Sequence, residues 1–209
     1  MAKQYGFYVN LAACIGCKTC QVACKDKNNL PVGMRWRRVI QYESGEWVIQ
    51  DGAYIPSNVA VTFVSTACMH CQNPICTQVC PTQAMTKRDD GIVLIDQSKC
   101  VGCRYCEWAC PYGAPVFDQT KGVMTKCTMC SDLVDQGQRP VCVEACPQRV
   151  MDFGELSELQ AKYGTFNNPA PLPDPNITHP SVVYGPKANT HSSDHADGVI
   201  MNLEEVAKL

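Results

Sequence analysis

The sequence predicts an α+β fold of short strands, short helices and long ligand loops, closed by an extended C-terminal tail. Three observations predict it. Sixteen cysteines fall into four groups of four. Short apolar runs, bounded by Gly, Asn and Asp, separate those groups. From Thr165 onward the composition turns Pro-rich and polar, with no periodicity.

The elements follow in order. Tyr5–Asn10 alternates like a short strand and leads into the first cysteine loop. Cys20–Lys27 reads as a short helix carrying Cys24. Trp36–Gln50 reads as a hairpin with its turn at Ser44-Gly45, and Val59–Ser65 as a strand entering the second group. Met85–Asp96 is a second hairpin, turning at Asp89-Asp90-Gly91. Val123–Lys126 is a strand entering the fourth group. Val150–Phe153 closes a sheet, and Glu155–Lys162 has a helical pattern.

The cysteine groups carry the chemistry. They are Cys14, Cys17, Cys20, Cys24; Cys68, Cys71, Cys76, Cys80; Cys100, Cys103, Cys106, Cys110; and Cys127, Cys130, Cys142, Cys146. The first and third have the form C-x2-C-x2-C-x3-C. This run holds cubane iron–sulfur clusters in bacterial ferredoxins. Three thiolates two residues apart let a tightly curled loop wrap one cluster, with backbone N–H groups aimed at sulfur. The fourth thiolate comes from elsewhere. A proline then turns the chain away. Pro81, Pro111 and Pro147 stand in that place after three of the groups, and Lys25 after the first. The second group carries two extra residues before Cys76, and the fourth has eleven residues between Cys130 and Cys142. Such insertions lengthen a loop at little closure cost and remove no ligand. Four complete groups predict four clusters and a wire for electrons.

Other chemistries fit less well. Disulfide scaffolds are small and secreted, and no apolar signal is read at Met1–Asn10. Structural zinc pairs two C-x2-C knuckles and does not use the x3-C-P ending. Four cysteines per cluster leave no iron open to substrate, so no catalytic residue is expected. With 18 Lys and Arg against 20 Asp and Glu, the formal charge is −2, which argues against a nucleic-acid surface. No stretch approaches the roughly 20 apolar residues of a membrane helix; Asn58–Ala67 is the most apolar run. Membrane contact is therefore expected through a partner.

Near the ligands, Lys18, Arg104 and Lys126 are read either as tuning charges or as surface charges. Trp108 and Tyr112 are expected to shield a cluster, and His70 to hydrogen-bond within its loop. His191 and His195 lie in a polar stretch and are read as part of a solvated tail.

The second and third groups lie close, with one hairpin between Cys80 and Cys100, as in a two-cluster ferredoxin. The first and fourth are left to pair across this insert. Residues 1–57 and 119–164 would form an outer ferredoxin-like module, 58–118 an inserted one, and 165–209 the tail. Spacing alone leaves open the alternative pairing of first with second and third with fourth.

Beyond the cysteines, several stretches carry a resemblance. They include Gln4-Tyr5-Gly6-Phe7, Cys103-Arg104-Tyr105-Cys106, Ala109-Cys110-Pro111-Tyr112-Gly113-Ala114-Pro115, Met124-Thr125-Lys126-Cys127, Asp152-Phe153-Gly154 and Ala170-Pro171-Leu172-Pro173. Over nearly its whole length the chain resembles the iron–sulfur subunits of bacterial dimethyl sulfoxide reductases. The wider family serves formate dehydrogenase and nitrate, polysulfide, thiosulfate and tetrathionate reductases. A free-standing polyferredoxin is the other alternative.

The resemblance implies a three-subunit complex. One partner is a molybdenum–bis-molybdopterin guanine dinucleotide catalytic subunit, and the other an integral membrane subunit that oxidises menaquinol. It also implies the periplasmic face, through co-export with the catalytic subunit, and four 4Fe-4S ligand sets. These are Cys14, Cys17, Cys20 with Cys146; Cys127, Cys130, Cys142 with Cys24; Cys68, Cys71, Cys76 with Cys110; and Cys100, Cys103, Cys106 with Cys80. In the nitrate reductase relative a tryptophan replaces one third-group cysteine and leaves a three-iron cluster. Cys103 fills that place here. The family order sets the third-group cluster nearest the quinol side and the first-group cluster nearest molybdenum.

Overall fold

Strand β1 (Tyr5–Asn10) lies where sequence alternation predicts it, with Phe7 and Val9 buried in the main core. The computed structural model describes residues 3–195 and 197–206. Helix α1 (Thr19–Lys27) follows the first cysteine loop. A long ribbon, β2 (Arg38–Gln50) and β3 (Ala53–Thr66), comes next. Helix α2 (Ile75–Gln78) lies within the second group and carries Cys76, and β4 (Met85–Lys87) and β5 (Val93–Ile95) lie between the second and third groups. Then come α3 (Tyr105–Ala109), β6 (Val116–Asp118) and β7 (Val123–Thr125). Helix α4 (Ser131–Val134) starts just after Cys130, and α5 (Val141–Glu144) carries Cys142 of the fourth group. β8 (Met151–Glu155) and α6 (Leu156–Tyr163) close the body. The tail adds β9 (Val182–Gly185), β10 (Val199–Ile200) and α7 (Leu203–Val206).

One sheet has the order β8-β1-β9. β1 runs antiparallel to β8, with Phe7 opposite Phe153, and parallel to β9, with Phe7 opposite Val182. Helix α6 covers it through Leu156 and Leu159, which pack on Val183. The small hairpins β4–β5 and β6–β7 lie beside the inner cysteine groups. Sequence patterning shows β7 but not its three-residue partner β6.

The ribbon corrects one expectation. Ser44-Gly45 is not its turn. β2 runs straight through, and the register shifts there between Ser44 and Glu46. This is a β-bulge, and it needs glycine: φ is +126° and a Cβ would lie 2.8 Å from Val59 Cα. The chain reverses instead at Asp51-Gly52, both with positive φ, as a two-residue hairpin turn demands. Beyond the bulge, Trp47, Ile49 and Tyr54 are exposed.

The tail is extended, as its composition implies, but it packs on the body. Leu172, Thr178, Ser181, Val183 and Tyr184 are buried. Ser181 N donates to Met69 O and Ser181 Oγ to His70 O. β10 pairs with β2, and Glu205 of α7 accepts from Lys18 Nζ at 2.6 Å. His191 is half-buried, with Nδ1 3.4 Å from Asp197 Oδ1. The side chain of His195 lies outside the described residues. Among the described residues, no helix is long and apolar enough to cross a membrane.

Candidate metal centres

The first and third cysteine loops have one backbone. Gly16 and Lys18 have φ of +69° and +62°; Gly102 and Arg104, at the matching places, have +67° and +64°. Left-handed residues at these two places curl each loop so that its N–H groups turn inward. The helices α1 and α3 then start one residue later and carry Cys20 and Cys106. Glycine is required for space too: a Cβ on Gly16 would strike the Phe63 ring, and one on Gly102 the Gly122 carbonyl.

The exits repeat as well. Gln83, Gly113 and Arg149 each stand three residues after the last cysteine of a group, and each has positive φ. Their N–H groups donate back to the Cys80, Cys110 and Cys146 carbonyls at 3.2, 3.0 and 3.1 Å. Proline disfavours helical backbone in the residue before it, and Cys110 is extended. Lys25 places no such restriction on Cys24. Helix α1 runs on to Lys27 for nine residues, where α3 has five. Lys25 Nζ reaches forward to the Leu30 carbonyl at 2.8 Å.

The thiols gather across the chain. Cys14, Cys17, Cys20 and Cys146 line one cavity, walled by Val39, Val150 and Met151. Cys80, Cys100, Cys103 and Cys106 line another, walled by Met85, Ile95 and Met124. Elsewhere, burial pushes the Cys24 thiol up to about 12; Arg37 opposes this, and Cys142 and Cys130 add to it. Burial pushes Cys71 up to about 12, with Cys68 and Cys110 adding to it. Burial also raises Cys76, again with Cys68 and Cys110 nearby, and raises Cys127 beside Cys24. Such thiols do not ionise alone; they need a cation to take the thiolate charge. Among the described residues, no three His, Cys, Asp or Glu side chains are set to hold a single metal ion. Thiols gathered four to a site, with no single-ion site beside them among the described residues, fit an iron–sulfur cluster.

Hydrogen-bond donors already face the sulfurs. Met124 N donates to Cys100 Sγ at 3.4 Å, Met129 N to Cys127 Sγ at 3.3 Å and Ala114 N to Cys110 Sγ at 3.4 Å. Cys17 Sγ shares a hydrogen bond with Thr19 Oγ1, and the Thr19 hydroxyl and N–H hold that thiol below its ordinary value. Donors of this kind stabilise the extra charge of a reduced cluster.

The neighbouring side chains follow the sequence expectations in part. Lys18 and Arg104 are surface ion-pair partners, of Glu205 and of Glu107. Lys126 is buried, donating to the Val93 carbonyl and, at 3.0 Å, to the Cys127 carbonyl. His70 is a loop hydrogen-bonder: its buried Nδ1 accepts from Val93 N at 3.0 Å. Tyr112 is buried, but Trp108 is 73 % exposed and shields nothing within this chain. Sequence reasoning misses Arg37. It is buried among Cys20, Cys24, Cys127 and Cys142, yet in sequence it reads as one more polar residue of the ribbon.

Comparison with known proteins agrees with this geometry. Residues 59–156 match a family model described as a 4Fe-4S dicluster domain, and residues 13–84 match a second with the same description. Fold and site therefore define a 4Fe-4S protein that carries electrons. The sequence is 46% identical over 206 residues to the B chain of anaerobic dimethyl sulfoxide reductase from Escherichia coli, covering 99% of this chain and 100% of that one. It is 45% identical over 204 residues to the corresponding chain of Haemophilus influenzae, covering 98% and 100%. It is 36% identical over 163 residues to the B subunit of tetrathionate reductase from Salmonella typhimurium, covering 78% and 62%. The chain thus belongs to the family of iron–sulfur subunits of anaerobic dimethyl sulfoxide reductase, and its role is electron transfer, not catalysis.

Proposed function

We propose that this chain relays electrons through four 4Fe-4S clusters, from an integral membrane subunit that oxidises menaquinol to a molybdopterin catalytic subunit that reduces dimethyl sulfoxide. The observation that carries this is the partition of sixteen thiols into four quartets with none left over. The ligand sets are Cys14, Cys17, Cys20, Cys146; Cys24, Cys127, Cys130, Cys142; Cys68, Cys71, Cys76, Cys110; and Cys80, Cys100, Cys103, Cys106. Two of these sets each line a cavity of their own. The first and fourth groups belong to an outer module, 1–57 and 119–164, with 58–118 inserted. The clusters supply one-electron acceptors; the chain holds them, excludes water and aims donors at the sulfurs.

Only Cys17 and Cys103 are exposed among the sixteen. Each lies in a different proposed end set of the wire, where electrons must cross to a partner. Tyr105 and Trp108 are exposed beside Cys103, as a surface meant for another subunit would be. Membrane attachment would come through the quinol-oxidising partner, on the periplasmic face.

The test is anaerobic purification of the complex. About sixteen irons and as many sulfides should be found, four per cubane. Colourless protein carrying zinc would refute the assignment. Cys146→Ser and Cys17→Ser should perturb the same paramagnetic centre; two different centres would require another pairing. The chain should copurify with a molybdopterin subunit and a polytopic membrane subunit.

A further inference from the structure

Arg37 is 3 % exposed. Its guanidinium packs over the Phe7 ring, 5.0 Å from the centroid. Its Nη1 donates to Ser65 Oγ at 3.0 Å, and Ser65 Oγ lies 3.4 Å from Cys20 Sγ. Arginine only donates hydrogen bonds. Ser65 must therefore accept from Arg37, which leaves its own proton free to point at Cys20 sulfur. Among the described residues no carboxylate pairs with Arg37. The thiols of Cys142, Cys20, Cys127 and Cys24 lie in its surroundings. A buried cation is costly unless it is paired, and clusters held by these cysteines would supply the negative charge.

Those thiols come from two different ligand sets. Cys20 belongs with Cys14, Cys17 and Cys146. Cys24, Cys127 and Cys142 belong together with Cys130. We infer that Arg37 is a fixed cation shared by these two clusters, holding both at higher potential than their ligands alone would set. Each reduction adds one electron, taken from the neighbouring centre, and breaks no bond. A nearby fixed positive charge favours the reduced form. Arg37 acts on potential through space and is a positioning residue, not a ligand.

This rests on the ligand sets proposed above, and the test separates the two. The anaerobic complex is assayed for iron and titrated with redox mediators while each paramagnetic centre is followed. Arg37→Met should lower two midpoint potentials, those of the centres that Cys146→Ser and Cys24→Ser perturb. The other two centres should not move. Arg37→Lys keeps the charge and should keep both potentials near wild type. If wild-type complex holds fewer than four centres, the cluster assignment is wrong. If Arg37→Met retains its iron and no midpoint moves, the role given to Arg37 is wrong, as it is if Arg37→Lys shifts as far as Arg37→Met. Should Arg37→Met fail to load, Ser65→Ala decides. It should lower the centre that Cys17→Ser marks, and an unmoved midpoint overturns the role.

Discussion

Gly102 and Gly122 have the same φ, +67°, and different surroundings. A methyl on Gly102 would meet the Gly122 carbonyl at 2.3 Å, whereas one on Gly122 meets nothing within 4 Å. Gly122→Ala should therefore cost about 1 kcal/mol, the left-handed backbone penalty alone. Gly102→Ala adds a backbone clash and should cost about 2–3 kcal/mol. Thermal unfolding of the two variants checks the difference, and iron loss should be confined to Gly102→Ala. At this scale the thiols are legible in the sequence and the charges are not. Cysteine spacing is local, so C-x2-C-x2-C-x3-C declares itself. Arg37 matters only because Phe7, Ser65 and four thiols converge on it, and no short window of sequence contains them. Lys126 can be named from its place beside Cys127, but its burial under the Val93 carbonyl cannot.

Besides the packing of Leu156 and Leu159, one carboxylate ties helix α6 to the sheet. Asp152 accepts from Tyr163 Oη at 2.7 Å, Phe153 N at 2.9 Å and Arg139 Nη2 at 2.5 Å. Burial works against its ionisation, but these donors prevail and its pKa falls below the ordinary carboxylate value. A lowered folded pKa means that the contribution is present at neutral pH and is lost as acid protonates the folded state. Asp152→Asn should cost about 1 kcal/mol at neutral pH, the site being partly open to water. The variant should also lose part of the wild type's acid dependence, which a stability profile between about pH 2 and 6 would read around the carboxylate range. Most elements are visible in advance where a run alternates cleanly, as in Tyr5–Asn10, or where a turn has one strong candidate, as at Asp89-Asp90-Gly91. The ribbon misleads because it holds two glycine signals. Ser44-Gly45 bends a strand and Asp51-Gly52 reverses it, and cross-strand register, which only the pairing shows, tells them apart. β9 is unreadable for a related reason: its partner β1 lies near the opposite end of the sequence.

Across the whole molecule, the wire should fail at its ends before its middle. Cys103 is exposed, and serine is a harder, weaker iron ligand than thiolate. Cys103→Ser should leave a three-iron centre, detected by its paramagnetic signal, in a complex that still assembles. Quinol-driven turnover should collapse, while turnover from an artificial donor feeding the catalytic subunit should persist. Full quinol-linked activity would mean that this centre is not an obligatory step. The tail has a different reach. Ending the chain after Gly164 removes β9 from the edge of β1 and Thr178 from beside Cys71. The iron content of such a truncated chain should drop well below wild type, measured against total protein. The order β8-β1-β9 also carries a consequence for biosynthesis. The earliest strand leaves the ribosome without either neighbour. At roughly 5–20 residues per second, β1 waits on the order of ten seconds or more for β8, and longer for β9. During that time Cys14, Cys17 and Cys20 have no Cys146 to complete them. Completion of a cofactor site in this part of the chain therefore waits for Cys146. A prematurely terminated product leaves Phe7 and Val9 uncovered, open to proteolysis rather than persisting as a partial conductor.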